Sequence, residues 1–249
     1  MAPSDLFKPD IEDFTYLGYL TVTGHLPKLP EDCLPPRVVL ARANHGKNRG
    51  SNFLQFCAAT GHYKELPKRY QHRKSILHQS KRHSLTTPLD AAINNSALHH
   101  FPVDSLESAD LTFERLILII GLRQIDCVQH LVKADHIDTP VLTYCFHKHI
   151  YAECVLRHMT AENMLGPGLC SGLATAAYAG ALKKVPVSLF LGHFQQTKLL
   201  IERFKSDLLS PEMVEAYPAG EALVAHAEEW LLSLSHEVLK AAGAKKRAA

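Results

Sequence analysis

Apolar, small and polar residues recur along the chain in a short phrase with constant offsets. In each copy a small or capping residue is followed by an apolar residue two places on, then by an alanine-like pair and a turn. The clearest copies are residues 52–62, NFLQFCAATGH, residues 87–92, TPLDAA, and residues 171–180, SGLATAAYAG. A supersecondary unit that repeats in this way predicts a stacked scaffold in which neighbouring units share one core.

The phrase predicts a helix–turn–helix unit in each copy after the first. The copies start at Thr15, Asn52, Thr87, Glu114, Thr139 and Ser171. Thr87 and Thr139 are expected to be N-caps. Pro88 and Pro140 would then occupy the first helical position, where a missing amide hydrogen has no cost.

The turn and the second helix vary between copies. Gly61 and Gly180 fit the left-handed residue that ends a helix, and Ser96, Arg123 and Lys148 replace it elsewhere. An amphipathic second helix is expected after each turn. In the copy that starts at residue 114, its apolar residues recur at spacings of three and four: Ile125, Val128, Leu131 and Val132. The stretch 98–110 contains a proline and is predicted to be an insertion or a distorted repeat.

These residues resemble the ankyrin repeat, whose pattern opens with threonine, proline, leucine and histidine and continues through paired alanines to glycine and histidine. The resemblance covers residues 52–204, with residues 15–30 as a degenerate copy. It implies an all-α, ankyrin-like solenoid of five or six irregular helix–turn–helix repeats. It also implies that a partner protein binds to hairpin tips and to the concave surface formed by the first helices.

The chain is predicted to have four regions. Residues 1–51 form an irregular N-terminal cap region, residues 52–204 the repeats, residues 205–241 a helical C-terminal cap and residues 242–249 a disordered tail. In the C-terminal cap, Ser210 and Pro211 start a short helix, and residues 221–240 place an apolar stripe along a long one. A solenoid needs a terminal unit with one polar face, so this helix is expected to close the stack.

Composition indicates the broad class of the protein and its expected location. The chain has 249 residues, of which 46% are hydrophobic, and a formal net charge of +2. No run approaches the roughly 18 apolar residues of a transmembrane segment, and residues 1–13 are too acidic for a secretory signal peptide. The six cysteines include no CxxC pair, which favours buried free thiols in a reducing compartment. The expected location is the cytoplasm, or the host cytosol if the chain is a secreted effector of an intracellular pathogen.

One group of thiols and imidazoles has the chemistry of a metal site. Cys145, His147 and His149 lie close together, with Cys154 after them, and such side chains are the usual zinc ligands. Paired CxxC or HxxxH half-sites are missing, so neither a metal nor a cofactor is expected. A cysteine-dependent hydrolase or transferase, with the repeats positioning its substrate, is the alternative to a binding scaffold. Whether the protein is an enzyme therefore stays open, and no catalytic residue is assigned.

A basic tract lies between residues 42 and 83. Glu65 is its only acidic residue, and its basic side chains are Arg42, Lys47, Arg49, Lys64, Lys68, Arg69, Arg73, Lys74, Lys81 and Arg82. Such a tract attracts acidic proteins or phosphate-rich partners, and its binding weakens steeply with salt. Nucleic acid or anionic lipid is therefore a second alternative, after an acidic protein partner.

The leading hypothesis is a protein–protein interaction scaffold. Its contact residues are expected at polar or aromatic positions that the repeat frame directs outward. These positions are Gln55, His62, Asp90, Asn94, Asn95, His147 and Tyr178.

Overall fold

The computed structural model describes residues 15–40, 51–78, 86–166 and 171–248. These residues are mostly helical and include no β-strand, which confirms the predicted all-α class. The chain forms two compact units, Met1–Leu131 and Val132–Ala249. Within the described ranges, none of the helices combines the length and the apolar content that crossing a membrane requires.

The described α-helices fall into first helices of the copies, single turns between them, and longer C-terminal helices. They are α1 (Thr15–Val22), α2 (Pro36–Val39), α3 (Phe53–Ala59), α4 (Arg73–Ile76), α5 (Pro88–Asn94), α6 (Phe113–Gly121), α7 (Thr139–His147), α8 (Glu153–Leu156), α9 (Ala161–Met164), α10 (Gly172–Tyr178), α11 (Phe194–Leu208), α12 (Pro211–Ala216) and α13 (Gly220–Ala248). The first helices are α1, α3, α5, α6, α7 and α10.

Each first helix buries one side. The buried apolar residues of α3 are Phe53, Leu54, Cys57 and Ala58, and α5 repeats this spacing with Pro88, Leu89, Ala92 and Ile93. Residues four apart lie on the same side of a helix, so each pattern makes one continuous apolar side. In the first unit α3 packs on α5 and α5 on α6; in the second unit α7 packs on α10. These contacts stack first helices within each unit.

Side-chain caps start the first helices. Asn52 and Gln55 form a reciprocal capping box, in which Gln55 N donates to Asn52 Oδ1 at 2.9 Å and Asn52 N donates to Gln55 Oε1 at 2.8 Å. Thr87 caps α5 as predicted. The cap of α7 is Asp138, so the predicted cap at Thr139 is one residue too late. Aspartate and threonine are both good N-caps, and the sequence alone does not choose between neighbours.

Each first helix ends at a residue in the left-handed conformation. These residues, with φ between 53° and 79°, are Gly24, Gly61, Ser96, Arg123, His149 and Gly180. The next amide donates five residues back, as His62 N does to Cys57 O at 2.8 Å, and the left-handed residue's own amide donates three residues back, as in Gly61 N to Ala58 O at 3.4 Å. This pair of bonds is a Schellman motif. The prediction of Lys148 for this position is wrong by one residue.

The predicted second helices are wrong, because short 3₁₀ segments and single α-turns follow the first helices instead. The 3₁₀ segments are Leu26–Lys28, Glu31–Cys33, Tyr63–Glu65, Lys68–Tyr70, Leu98–His100, Val103–Ser105, Ser108–Asp110, Ile125–Cys127, Gln129–Leu131, Ala134–His136, Leu182–Lys184 and Val187–His193. In the first three copies, the first segment begins two residues after the left-handed residue and the second begins five residues later. The stretch 98–110 follows this spacing, so it is an ordinary copy and not an insertion.

Two sequence features favour 3₁₀ geometry over an α-helix. Prolines directly precede the second 3₁₀ segment in four copies, at Pro30, Pro67, Pro102 and Pro186. A proline lacks the amide hydrogen that an uninterrupted α-helix needs there. In the copy that starts at residue 114, Ile125, Val128 and Leu131 are all buried. Their spacing of three matches the three residues per turn of a 3₁₀ helix.

The N-terminal region contains a full copy. Residues 15–39 comprise α1, the left-handed Gly24, two 3₁₀ segments and α2, so the predicted irregular cap with a degenerate copy at 15–30 is too short and too irregular. In α1 the Thr21 side chain lies beside the Cys57 thiol of α3. The Tyr70 hydroxyl donates to Leu34 O at 2.6 Å. These contacts join the first two copies.

The C-terminal cap consists of α11, α12 and α13. Trp230 of α13 is buried, its Nε1 donates to Val185 O at 2.9 Å, and its ring meets the edge of Phe190 with centroids 5.5 Å apart. α11 begins at Phe194, so the predicted boundary between residues 204 and 205 falls inside a helix. α13 continues to Ala248, beyond the predicted start of a disordered tail at residue 242.

Candidate protein-binding surface

Three positions form the outer side of each first helix. They lie five residues, two residues and one residue before the left-handed residue that ends the helix. Spacings of three and four place these positions on one side of a helix. In the first unit they form the surface called here the first-helix face: Tyr19, Val22, Thr23, Phe56, Ala59, Thr60, Ala91, Asn94, Asn95, Leu118, Gly121 and Leu122. Each of these residues is exposed or half-buried.

Large apolar side chains are exposed on the first-helix face. The exposed fractions are 62% for Tyr19, 61% for Val22, 44% for Leu118 and 39% for Leu122. Leu40 and Phe113 are the other two exposed large apolar residues in the described part of the first unit. Four of the six exposed large apolar residues in the described part of this unit therefore lie on the first-helix face, and clusters of this kind are typical of interaction surfaces.

The first-helix face carries no charge. None of its residues is Asp, Glu, Lys or Arg, although 21% of the residues in the whole chain are of these types. Depletion of charge together with exposed aromatic and aliphatic groups is the composition of the centre of a protein–protein interface. The face can therefore offer apolar contact and neutral hydrogen bonds.

Three predicted contact residues lie on or beside this face. Asn94 and Asn95 are exposed at its middle, and Asn95 Nδ2 donates to Ala91 O at 2.9 Å. His62 is half-buried next to a turn, where its Nδ1 lies 2.8 Å from Glu65 Oε1. The two asparagines are available to a partner, whereas His62 already has a partner within its own copy.

The other two predicted contact residues in the first unit are structural. Gln55 is buried, and its Nε2 donates to Thr86 O at 2.6 Å in addition to its role in the capping box. Asp90 accepts hydrogen bonds from Arg115 Nε and Thr87 N, both at 2.7 Å. Burial raises the pKa of the Asp90 carboxyl, but these donors outweigh it and hold the pKa below its usual value. Both residues bridge neighbouring copies. The outward-facing position predicted for Gln55 is wrong because Gln55 is buried, whereas the partner contact predicted for the half-buried Asp90 stays a prediction.

In the second unit the equivalent outward positions include His147 and Tyr178, and both are exposed as predicted. The Tyr178 ring packs edge-on against Phe204 with centroids 4.8 Å apart. Together with Leu199 and Leu200 these rings line a surface groove of about 300 Å³. Partial burial raises the pKa of Tyr178, and the nearby Asp207 adds to the shift.

Half of the predicted basic tract lies outside the described residues. The members outside are Arg42, Lys47, Arg49, Lys81 and Arg82. Of the remainder, Lys64, Lys68, Arg69 and Lys74 are exposed and Arg73 is half-buried. Arg69 donates to Leu34 O at 3.0 Å, and its guanidinium lies 5.2 Å from the centroid of the Tyr70 ring. Arg69 therefore helps to join two copies.

Acidic side chains from a later copy oppose Arg73. Its Nε and Nη2 donate to the two oxygens of Asp110 at 2.8 Å each, and its Nη1 lies 2.8 Å from Glu107 Oε2. Glu65 is the only acidic residue within the tract, but Glu107 and Asp110 also oppose it in the fold, and their distance in sequence hides this pairing. The described part of the tract is thus less available to phosphate groups than its composition suggests.

Three cysteines that a cysteine-dependent enzyme could use as nucleophiles are buried. Cys57, Cys145 and Cys154 all belong to the core. Burial raises the pKa of Cys145 to about 12, with the neighbouring Cys154 adding to the shift, and burial also raises the pKa of Cys57. A thiol needs exposure and a lowered pKa to act as a nucleophile. These cysteines are better explained as small apolar packing residues.

Within the described ranges, His, Cys, Asp and Glu side chains form no group of three or more that could hold a metal ion. No protein-family model, curated protein or solved structure matches this chain. The geometry of the first-helix face is therefore the main guide to function.

The sequence analysis missed the apolar members of this face, above all Tyr19, Val22, Leu118 and Leu122. It selected polar residues because polarity usually indicates exposure. The available signal was the position of these apolar residues relative to the left-handed residue. The positions five, two and one before that residue are exposed or half-buried in each first helix.

Proposed function

We propose that the protein is a protein-binding scaffold of ankyrin-repeat type, and that it binds an uncharged, apolar segment of a partner protein on the first-helix face. One observation carries the proposal: exposed large apolar residues occupy outward positions of the first and fourth copies, and no charged residue belongs to the first-helix face that contains them. A repeat scaffold presents such positions as one extended surface, which suits a binding role.

The chemistry of the face narrows the partner. Tyr19 and Val22 at one end, and Leu118 and Leu122 at the other, are separated by the amides of Asn94 and Asn95. The apolar ends supply contact area, and the amides can hydrogen-bond neutral polar groups of the partner. Binding driven by such contacts depends little on salt, whereas binding through the basic tract would weaken steeply.

Site-specific photo-cross-linking tests this proposal. A photoreactive phenylalanine analogue placed at Tyr19 or at Leu118 should capture the same protein from an extract of the native cell. The matched control is the analogue at Leu232, which is 57% exposed on α13 and lies outside the face. The yield at Tyr19 and Leu118 should not change between low and high salt.

Charge substitution on the first-helix face provides a second test of the same proposal. Leu118→Asp should remove capture at Tyr19, because a buried unpaired carboxylate opposes binding, while Leu232→Asp should leave it intact. Equal capture at Leu232, or a yield that collapses with added salt, would contradict the proposal. Collapse with salt would indicate the basic tract instead.

A further inference from the structure

A second cluster of exposed apolar side chains lies in the C-terminal cap. Its members are Leu209, Met213, Val214 and Tyr217, with exposed fractions of 40%, 37%, 44% and 42%. They belong to α12 and its two flanks and form, with the acidic residues described below, the surface called here the α12 patch. Met213 and Tyr217 are also joined by the backbone bond from Tyr217 N to Met213 O at 2.7 Å.

α12 buries none of its own residues. It contains only six residues, and every position from 211 to 219 is exposed. Isolated helices this short are unstable in water, and packing of an apolar side is what usually stabilises a helix in a protein. Pro211 at its first position favours helix formation but buries no apolar surface. The apolar residues of α12 are therefore only partly covered by this chain, and their exposed parts can contact another molecule.

The charged residues in the sequence around this cluster have one sign. Residues 206–223 include four acidic residues and no Lys, Arg or His. The acidic residues are Asp207, Glu212, Glu215 and Glu221, and all four are exposed. An apolar centre with an acidic rim is complementary to a partner that has apolar residues between basic ones.

We infer that the α12 patch is a docking surface for a basic amphipathic helix of a partner protein. The helix would place its apolar side on Met213, Val214 and Tyr217 and its Lys or Arg side chains beside Glu212 and Glu215. Methionine suits this contact, because its flexible side chain adapts to different apolar surfaces. This partner differs from the uncharged segment proposed for the first-helix face, and the inference does not depend on that proposal.

A model peptide provides the probe. It is an 18-residue helix of leucine and lysine with all leucines on one side, and its control carries glutamate in place of lysine. Fluorescence anisotropy with the full chain should show saturable binding of the lysine peptide and none of the glutamate peptide. Raising the salt concentration should weaken binding of the lysine peptide, because exposed charges are screened.

Two double variants assign the binding to the patch. Met213→Ser/Tyr217→Ser removes apolar contact and should weaken binding by more than about tenfold, as loss of interface anchors does. Glu212→Gln/Glu215→Gln should weaken binding severalfold and flatten its salt dependence. Leu239→Ser is the apolar control, since this leucine is 69% exposed on α13, and Glu229→Gln/Glu237→Gln removes two charges from the same helix. Both controls should bind like the original chain.

The outcomes separate the alternatives. Equal weakening by the control variants, or no weakening by the patch variants, would overturn the inference. Self-association of the chain that disappears in Met213→Ser/Tyr217→Ser, without peptide binding, would also overturn it in favour of a second copy as the occupant. Because Glu212→Gln/Glu215→Gln changes only exposed side chains, it keeps the test decisive even if the serine variant unfolds α12. None of these results depends on cross-linking at Tyr19 or Leu118.

Discussion

The repeats of the first unit and the C-terminal cap of the second are both helical, but different contacts hold them together. Side-chain amides and charged pairs link neighbouring copies in the first unit. Gln124 shows this best, because its Nε2 donates to Ile93 O at 2.8 Å and its Oε1 accepts from Leu98 N at 3.0 Å. In the cap, one large aromatic side chain takes this role: Trp230 packs against the Phe190 ring and also donates to Val185 O.

The reason for the difference lies in the backbone. Short first helices and 3₁₀ segments leave many amide and carbonyl groups without a partner in their own element, and buried backbone groups need one. Side chains such as Gln124 supply these partners from the next copy. The long helices α11 and α13 satisfy most of their own backbone groups, so their contacts can be apolar. A repeat can thus be regular in backbone and still depend on a few polar residues.

The largest expected effect comes from breaking the cap. Trp230→Ala should lower the free energy of unfolding by about 4 kcal/mol, since it leaves a cavity and removes the partner of Val185 O. Urea unfolding followed by circular dichroism measures the change. Leu232→Ala, at an exposed position of the same helix, should have little effect. Similar losses in both variants would show that Trp230 does not anchor the cap.

A smaller effect is expected from the charged link in the repeats. Asp110→Asn should lower the free energy of unfolding at pH 7 by about 2 kcal/mol, because the Asp110 side chain is only 5% exposed and accepts two hydrogen bonds from Arg73. Urea unfolding at pH 7 measures the loss. Glu107→Gln is the matched control, since the Glu107 side chain is 64% exposed.

This link also predicts a pH dependence. Burial raises the pKa of Asp110, but Arg73 and the Glu107 amide outweigh burial and hold the pKa below the ordinary value of 3.8. A carboxyl whose pKa is lower in the folded state stabilises the fold above its unfolded pKa. That stabilisation should be lost as the pH falls below about 4. Asp110→Asn should therefore lose less stability than the original chain on acidification, and parallel curves would contradict the pairing.

The smallest expected effect concerns the turns that the copies share. Ser96 and Arg123 are exposed and hold φ values of 56°. Glycine has no side-chain clash in this conformation, so Ser96→Gly and Arg123→Gly should each stabilise the fold by about 0.5–1 kcal/mol. Thermal unfolding detects such changes.

Gly61 provides the opposite case. Its φ is 79°, and a Cβ at this residue would lie 3.1 Å from a ring carbon of His100. Gly61→Ala should therefore destabilise the fold by about 1–2 kcal/mol. Stabilisation by alanine at this position, or destabilisation by glycine at residue 96, would mean that the turn conformation differs from the one described.

The sequence was a good guide to the first helices and their ends. Residue types at caps and turns act through bonds within a few residues, so Thr87 and Gly61 could be assigned from their neighbours alone. The C-terminal apolar stripe also predicted the buried Trp230. Errors of a single residue at Asp138 and His149 arose because adjacent residues were chemically similar candidates.

Neighbouring residues alone did not reveal the 3₁₀ segments in the second half of each copy, nor which residues form the exposed first-helix face. A spacing of three to four residues fits both a 3₁₀ segment and one side of an α-helix, as Ile125 and Val128 illustrate. Polar character also failed as a guide to exposure, since Gln55 is buried between copies and Leu118 is exposed.

The sequence by itself determined the repeating first helix, its cap and its left-handed end, because these depend on local hydrogen bonds and steric limits. Only the tertiary structure decided which side chains join neighbouring copies and which remain on the surface. That choice depends on contacts between residues far apart in the chain, such as Arg73 with Asp110 and Arg115 with Asp90. The uncharged first-helix face and the acidic α12 patch both depend on the tertiary structure.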